Sequence, residues 1–195
     1  MPPAPAFPLA QLVQACRAVP PRCAATRVIA VDGRSGAGKS RLAEQLAEGL
    51  ARPSGTGERC RQRVQVVRMD DVYPGWDGLR DAAVLLCRWL FRPLAAGRPA
   101  GYYRYDWSAG RFGAWQPVEP GGVLVLEGVG SGSARLAARL SLLVWVEAPP
   151  EIRRQRALER DGETFAAHWD RWAAQEERYL AQEAPQLRAD LTVPT

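Results

Sequence analysis

A glycine-rich stretch close to the N-terminus carries the residues with the most recognisable chemistry. It reads GRSGAGKS over 33–40 and fits G-x-x-x-x-G-K-[ST] at every fixed position. Glycines let such a loop turn tightly and point its backbone N–H groups at phosphate oxygens. Lys39 can reach the β- and γ-phosphates of a nucleoside triphosphate, and the Ser40 hydroxyl can bind Mg²⁺. The predicted nucleotide-binding residues are Gly33, Arg34, Ser35, Gly36, Ala37, Gly38, Lys39, Ser40 and Arg41.

The composition of the chain draws further attention to this lysine. Lys39 is the only lysine among 26 Lys and Arg residues. A planar guanidinium does not fit where a compact ammonium is needed, so an arginine cannot easily take this position. A chain that uses arginine everywhere else and keeps lysine here supports a phosphate-binding loop.

The elements that must position this loop follow from the hydrophobic pattern. The apolar run at 28–31 predicts a buried strand directly before the loop, and an amphipathic helix follows it. Further strands are predicted at 64–69, 123–126, 142–146 and 191–193, and further helices at 9–19, 79–94, 133–140, from Pro149-Pro150 onward and at 163–184. Alternation of strands and helices predicts an α/β fold of three layers, with a parallel sheet flanked by helices. We expect one domain over 1–195, with a small flap at about 98–118 and a mobile lid at about 151–168.

Acidic residues stand at the ends of two other predicted strands. Asp70 and Asp71 follow one strand, and Glu127 closes another. Ligands bind beyond the carboxyl ends of the strands in such sheets, so these carboxylates are expected to meet the glycine-rich loop at one crevice. An aspartate there can accept the proton of a substrate hydroxyl, and Asp70 is preferred to Asp71 as this base. Glu127 is predicted to bind Mg²⁺ together with Ser40.

The predicted flap and lid contribute aromatic and arginine side chains. Aromatic faces near Asp106 and Arg111 suit a polar, ring-bearing substrate such as a nucleoside, although a flap also needs aromatic packing for its own stability. Arg156 and Arg160 share one helix face and are predicted to neutralise charge that builds up on the transferred phosphoryl group. His168 stands among tryptophans and is interpreted as a packing residue rather than a catalytic one.

Composition narrows the class of protein. The net charge is +5, but the arginines are spread along the chain, which favours small phosphorylated ligands over nucleic acid. Four cysteines show no metal-binding spacing and are interpreted as reduced thiols. No stretch resembles a membrane span, and the first residues lack the pattern of a signal peptide, so we expect a cytoplasmic protein with no membrane partner. A homo-oligomer is compatible with the sequence, which leaves the oligomeric state open.

The ordered set of motifs resembles the uridine kinase and phosphoribulokinase group of P-loop kinases. The motifs are GRSGAGKS, DDVY at 70–73, YDW at 105–107 with Arg111 downstream, VLVLEG at 123–128 and a late R…RD at 156–161. The resemblance implies that Asp70 is the catalytic base and that the substrate contacts are Tyr73, Tyr105, Asp106 and Arg111. Val72 replaces a common family aromatic, and the family histidine between YDW and the arginine is missing. The resemblance therefore implies kinase chemistry and leaves the identity of the acceptor open.

Three functions are compatible with these residues. The first is an ATP-dependent, Mg²⁺-requiring kinase that phosphorylates a hydroxyl of a small molecule, foremost a nucleoside. The second is a nucleoside monophosphate kinase, in which arginines would bind an acceptor phosphate. The third is a nucleotide-binding regulatory protein with little transfer activity. A GTPase is disfavoured because the guanine-reading motif N-K-x-D needs a second lysine.

Overall fold

A computed structural model describes residues 8–53, 62–166 and 168–195. Its strands are β1 (Thr26–Asp32), β2 (Val64–Arg68), β3 (Ala100–Asp106), β4 (Arg111–Val118), β5 (Gly122–Glu127), β6 (Leu142–Glu147) and β7 (Leu191–Pro194). Five of them form a parallel sheet in the order β2-β5-β1-β6-β7, and β3 pairs with β4 in a separate antiparallel hairpin. The strand that precedes the glycine-rich loop therefore lies at the centre of the sheet.

Helices cover both faces of this sheet. They are α1 (Leu9–Ala18), α2 (Lys39–Ala51), α3 (Leu79–Leu86), α4 (Arg92–Ala95), α5 (Pro150–Ala166), α6 (Trp169–Glu183) and α7 (Pro185–Arg188), and a π-helical turn (Cys87–Phe91) joins α3 to α4. Ile29 and Val31 pack with α1 and α2 in one core cluster, whereas Val28 and Ala30 pack with α3 and α6 in another. Successive strand residues point to opposite faces, so an apolar run is buried on both. The predicted three-layer α/β fold is confirmed.

β3 and β4 form an antiparallel hairpin that is separate from the parallel sheet. β3 and β4 are joined by a turn over 107–110, and the pairing shifts register between Tyr103 and Tyr105. The hairpin contacts the π-helical turn and the 3₁₀ turn (Met69–Asp71) that follows β2. Through these contacts the hairpin lies next to the strand-end aspartates.

Two predicted helices differ from the structure. The segment predicted as a helix over 133–140 contains only a 3₁₀ turn (Ala137–Arg139), because its hydrogen bonds run from i to i−3 in the short connection to β6. The single helix predicted over 163–184 is divided between α5 and α6. The ring of His168, just before α6, stacks on Trp76 with 4.3 Å between centroids. Within the described ranges, no helix combines the length and apolar character needed to cross a membrane.

Candidate active site

The loop over 33–40, hereafter the P-loop, joins the end of β1 to the start of α2. Gly36 has φ +76°, and a Cβ added there would lie 2.0 Å from the carbonyl oxygen of Arg153 in α5. Gly33 has φ +148°, and its added Cβ would lie 2.4 Å from the carbonyl oxygen of Val146. Both positions therefore require glycine for conformation and for close packing. The result is a tight turn whose last residues form the N-terminus of α2, where anions are favoured.

Lys39 and Ser40 begin α2 and point toward acidic and carbonyl oxygens. Lys39 is buried, and its Nζ donates to the carbonyl oxygen of Arg34 at 2.9 Å. The Ser40 hydroxyl donates to Oε1 of Glu127 at 3.0 Å, which joins α2 to the end of β5. A hydroxyl and a carboxylate in contact are the oxygen ligands that Mg²⁺ takes beside substrate phosphates, so these two residues fit a magnesium-nucleotide site.

The electrostatic setting of Glu127 depends on its burial. Burial raises the pKa of this carboxyl above its ordinary value, Lys39 opposes the rise, and the nearby Asp70 carboxylate adds to it. A carboxylate held among few solvent dipoles gains more from a cation than an exposed one. The burial of the Glu127 carboxylate therefore favours the binding of a cation beside it.

Asp70 and Asp71 occupy the 3₁₀ turn after β2, but their surroundings differ. The Asp71 carboxylate accepts a hydrogen bond from Nε of Arg104 at 2.9 Å and from the Tyr102 hydroxyl at 3.4 Å. The backbone carbonyl of Asp70 accepts a hydrogen bond from Nε1 of Trp107 at 3.0 Å. The hairpin therefore contacts both aspartates: it binds the side chain of Asp71 and the main chain of Asp70.

A cavity of about 740 Å³ lies between the P-loop, the strand-end acids and α6. The lining residues that the sequence predicts are Ser35, Gly36, Gly38, Lys39, Ser40, Arg41, Asp70, Tyr73, Glu127 and Arg156. Its volume is in the range of small-molecule sites. The structure thus brings the predicted phosphate-binding, metal-binding and base residues to one cavity.

The same cavity has an aromatic wall, defined here as Tyr73, Trp76, Trp107 and Trp172. The Trp76 ring lies 4.8 Å from the ring of Trp107, and the Tyr73 ring lies 4.7 Å from that of Trp172. Tyr73 is fully buried, and its hydroxyl donates to the carbonyl oxygen of Val129 at 2.7 Å. Trp107 belongs to the YDW motif, whereas Trp76 and Trp172 are wall residues that sequence reasoning missed. The abundance of tryptophan, seven residues in this chain, was the sequence signal that could have pointed to an aromatic wall.

Solved structures of other proteins share this architecture. No protein-family model matches the chain, and no curated protein matches it. Among solved structures, a possible uridine kinase from Bacillus stearothermophilus is similar, with TM-score 0.63, 23% identity and coverage of 95% of this chain and 96% of that one. The fold is that of the P-loop kinases. A protein from Silicibacter sp. TM1040 assigned as a fructose transport system kinase is also similar, with TM-score 0.61, 22% identity and coverage of 96% and 100%. The uridine kinase-like neighbour agrees with the resemblance seen in the motifs.

Three predicted substrate contacts are not among the residues that line the cavity. Tyr105, Asp106 and Arg111 are near the turn of the hairpin and are not among the cavity-lining residues. Both turn amides, of Ser108 and Ala109, donate to Oδ1 of Asp106 at 2.9 Å, so this carboxylate shapes the turn. The role of Tyr105, Asp106 and Arg111 in substrate binding stays a prediction.

The lid arginines have different positions. Arg156 lines the cavity, and its Nη1 donates to the Thr195 hydroxyl at 3.1 Å. Arg160 belongs to α5, but its side chain lies outside the described residues. Arg153 is buried beside the P-loop, where its Nε donates to the carbonyl oxygen of Ala148 at 3.2 Å. Burial and the neighbouring Arg34 lower the pKa of Arg153 from its ordinary value.

A buried aspartate joins the P-loop strand to the loop after β5. The Oδ1 atom of Asp32 accepts from the amides of Gly33 and Gly130, and its Oδ2 accepts from the amide of Gly132 and the hydroxyl of Tyr179. Burial raises the pKa of Asp32, whereas these hydrogen bonds and Lys39 oppose the rise. The four donors fix the strand ends on which the cavity is built.

Proposed function

We propose that this protein is an ATP-dependent kinase that transfers the γ-phosphate of ATP to a hydroxyl of a small molecule, foremost a nucleoside. One observation supports it above all: a single cavity is lined by the P-loop, by the Ser40–Glu127 pair and by Asp70. Phosphoryl transfer requires these three functions at one place, namely phosphate binding, charge neutralisation and orientation of the attacking hydroxyl.

The nucleotide end of the cavity is assigned to the P-loop and α2. The N–H groups of the loop and the Lys39 ammonium would hold the phosphates. Ser40 and Glu127 would hold Mg²⁺, which when bound offsets the negative charge of the phosphate oxygens. Arg41 also lines the cavity and adds positive charge on the same helix.

The acceptor end is assigned to Asp70 and the aromatic wall. Asp70 would accept the proton of the attacking hydroxyl and orient its oxygen. Trp76, Trp107 and Trp172 offer apolar faces on which a planar ring can stack. Arg156, with Arg160 on the same helix, would screen the charge that builds up on the phosphoryl group.

Two alternatives remain in view. Arg68 and Arg104 also line the cavity, and this favours a nucleoside monophosphate acceptor as the second candidate. However, Arg68 pairs with Glu44 and Arg104 pairs with Asp71, so each would have to exchange its partner for a phosphate. The third candidate, a nucleotide-binding regulatory protein, would use the P-loop without an acceptor.

The proposal also includes a cytoplasmic location and the kind of partner that the protein binds. Cys16, Cys23 and Cys87 are free thiols in the described part of the chain, while Cys60 lies outside it, and free thiols fit a reducing cytoplasm. Small molecules are the proposed partners, and neither nucleic acid nor a membrane is invoked. A homo-oligomer is compatible with the proposal.

The test is a measurement of ADP release with ATP, Mg²⁺ and a panel of acceptors. The panel contains nucleosides, nucleoside monophosphates, sugar phosphates and free sugars. Stimulation by a nucleoside that disappears in Asp70→Asn is the expected result. Stimulation by monophosphates alone would favour the second candidate, and ATP binding without any stimulation would favour the third.

A further inference from the structure

The main chain of Ser35, within the P-loop, is held on both sides by side chains from the two helices after β6. Its amide donates to Oε1 of Glu176 in α6 at 2.8 Å. Its carbonyl oxygen accepts from Nη1 of Arg153 in α5 at 3.4 Å. Glu176 lies 141 positions further along the chain, so this contact depends on the tertiary fold.

Glu176 is a buried carboxylate whose two oxygens have separate partners. Its side chain is only 3% exposed. Oε1 accepts from the Ser35 amide and from Nε1 of Trp172 at 3.0 Å, whereas Oε2 faces Nε of Arg34 at 3.4 Å. Removing a carboxylate from water is costly, and a buried ion pair often adds little net stability. The arrangement therefore calls for a reason beyond stability.

The position of the contact supplies such a reason. Ser35 immediately precedes Gly36, and a glycine-rich segment has more backbone freedom to lose on ordering than any other. A ligand that must order its own binding loop binds more weakly, because part of the interaction free energy is spent on that ordering. A hydrogen bond that holds the Ser35 peptide before the nucleotide arrives reduces this loss.

We propose that Glu176 is a positioning residue that pre-organises the P-loop through the hydrogen bond from the Ser35 amide to Oε1. The proposal rests on the proposed function, since it assumes that the P-loop binds a magnesium-nucleotide. Because the same oxygen accepts from Trp172, Glu176 also joins the P-loop to the aromatic wall. α6 is thereby assigned a direct part in nucleotide affinity, in addition to its packing role.

The competing explanation is that Glu176 serves only as an ion-pair partner of Arg34. Two substitutions separate the explanations, because each keeps one property and loses the other. Glu176→Gln keeps an oxygen at the reach of Oε1 and loses the charge. Glu176→Asp keeps the charge and withdraws the oxygen by one methylene group, beyond hydrogen-bond reach of the Ser35 amide.

Glu177 provides the matched control. It pairs with the same arginine, through Nη2 of Arg34, but its side chain is 63% exposed and it makes no described contact with the Ser35 main chain. Glu177→Gln therefore removes a charge beside Arg34 without touching the loop. Exposed pairs of this kind contribute little, so its nucleotide affinity should stay within about twofold of wild type.

The measurement is the dissociation constant of MgADP by calorimetric titration, which needs no acceptor. Each variant is titrated well below its own melting temperature, determined in parallel. The expected result is that Glu176→Gln stays within about threefold of wild type while Glu176→Asp binds at least about tenfold more weakly, the loss of one well-placed hydrogen bond.

Other patterns overturn the proposal. Wild-type affinity in Glu176→Asp would show that the hydrogen bond to the Ser35 amide is dispensable. A loss in Glu176→Gln as large as that in Glu176→Asp would show that an oxygen at this position is not sufficient without the charge. If Glu176→Asp does not fold, Glu176→Gln decides alone, and a tenfold loss there contradicts the proposal. Failure of the wild-type protein to bind MgADP would instead remove the proposed function, and this inference with it.

Discussion

Asp70 and Asp71 are adjacent in sequence, and their contacts suggest a division of roles. Arg104 and Tyr102 hold the Asp71 side chain, so its carboxylate is committed to the hairpin. Asp70 lines the same cavity and lies close enough to Glu127 to raise the pKa of that residue. A base must reach the substrate proton, and Asp70 remains the predicted base.

Replacement of each aspartate by asparagine tests this division. Asp70→Asn is expected to lower kcat by about 10²-fold or more, because an amide cannot accept the hydroxyl proton. Its affinity for MgATP should be unchanged. Steady-state kinetics with the best acceptor provide the measurement, and Asp71→Asn is the neighbouring comparison. A loss smaller than threefold in Asp70→Asn, with a large loss in Asp71→Asn, would exchange the two roles.

At the scale of secondary-structure elements, the P-loop and α5 approach each other closely. The added Cβ at Gly36 would meet the main chain of Arg153, so the start of α5 packs directly on the loop. Movement of α5 and the shape of the P-loop are therefore expected to depend on each other.

Gly36→Ala tests this packing, with Gly97→Ala as its control. Both glycines have positive φ, +76° and +68°, but nothing lies within 4 Å of a Cβ added at Gly97. The backbone strain is of order 1–2 kcal/mol in each. Only Gly36→Ala should weaken MgADP binding, by at least about tenfold, in calorimetric titration. Equal affinities in the two variants would show that the close approach does not matter.

The hydrogen bond from Tyr179 in α6 to Asp32 in β1 can be tested with a second tyrosine of the chain as a control. Tyr179→Phe removes the hydroxyl that donates to the buried Asp32, and leaves this carboxylate with fewer donors. The free energy of unfolding should fall by about 1–3 kcal/mol in urea titrations. Tyr103 is 44% exposed, and Tyr103→Phe should change the free energy by less than about 0.5 kcal/mol. Equal values for the two variants would mean that the Asp32 network adds no stability.

At the scale of the whole molecule, local sequence predicted the fold better than it predicted the site. The P-loop and its flanking strand and helix follow from neighbouring residues, and the parallel sheet follows from apolar runs. Glu176, Tyr179 and Trp172 join the site only because α6 packs across the strand ends, more than 130 positions after the P-loop. Their helical pattern predicts a buried face and does not reveal what that face meets.

The existence of the hairpin was easier to predict than which of its residues line the cavity. The sequence predicts a small flap at about 98–118, and in the structure this segment contains β3 and β4. The motif at 105–107 suggested that the middle of this segment meets the substrate. In the structure Arg104 and Trp107 of the hairpin line the cavity, whereas the Asp106 carboxylate accepts hydrogen bonds from the amides of Ser108 and Ala109 in the turn.

The central claim is that the γ-phosphate of ATP is transferred to a small molecule. The most direct test uses ATP labelled at the γ-phosphate together with the acceptor that most stimulates ADP release. The account predicts that the label appears in the acceptor, in equal amount to the ADP formed, and that Lys39→Ala abolishes both. Label found only as inorganic phosphate, or transfer at the wild-type rate in Lys39→Ala, would contradict it.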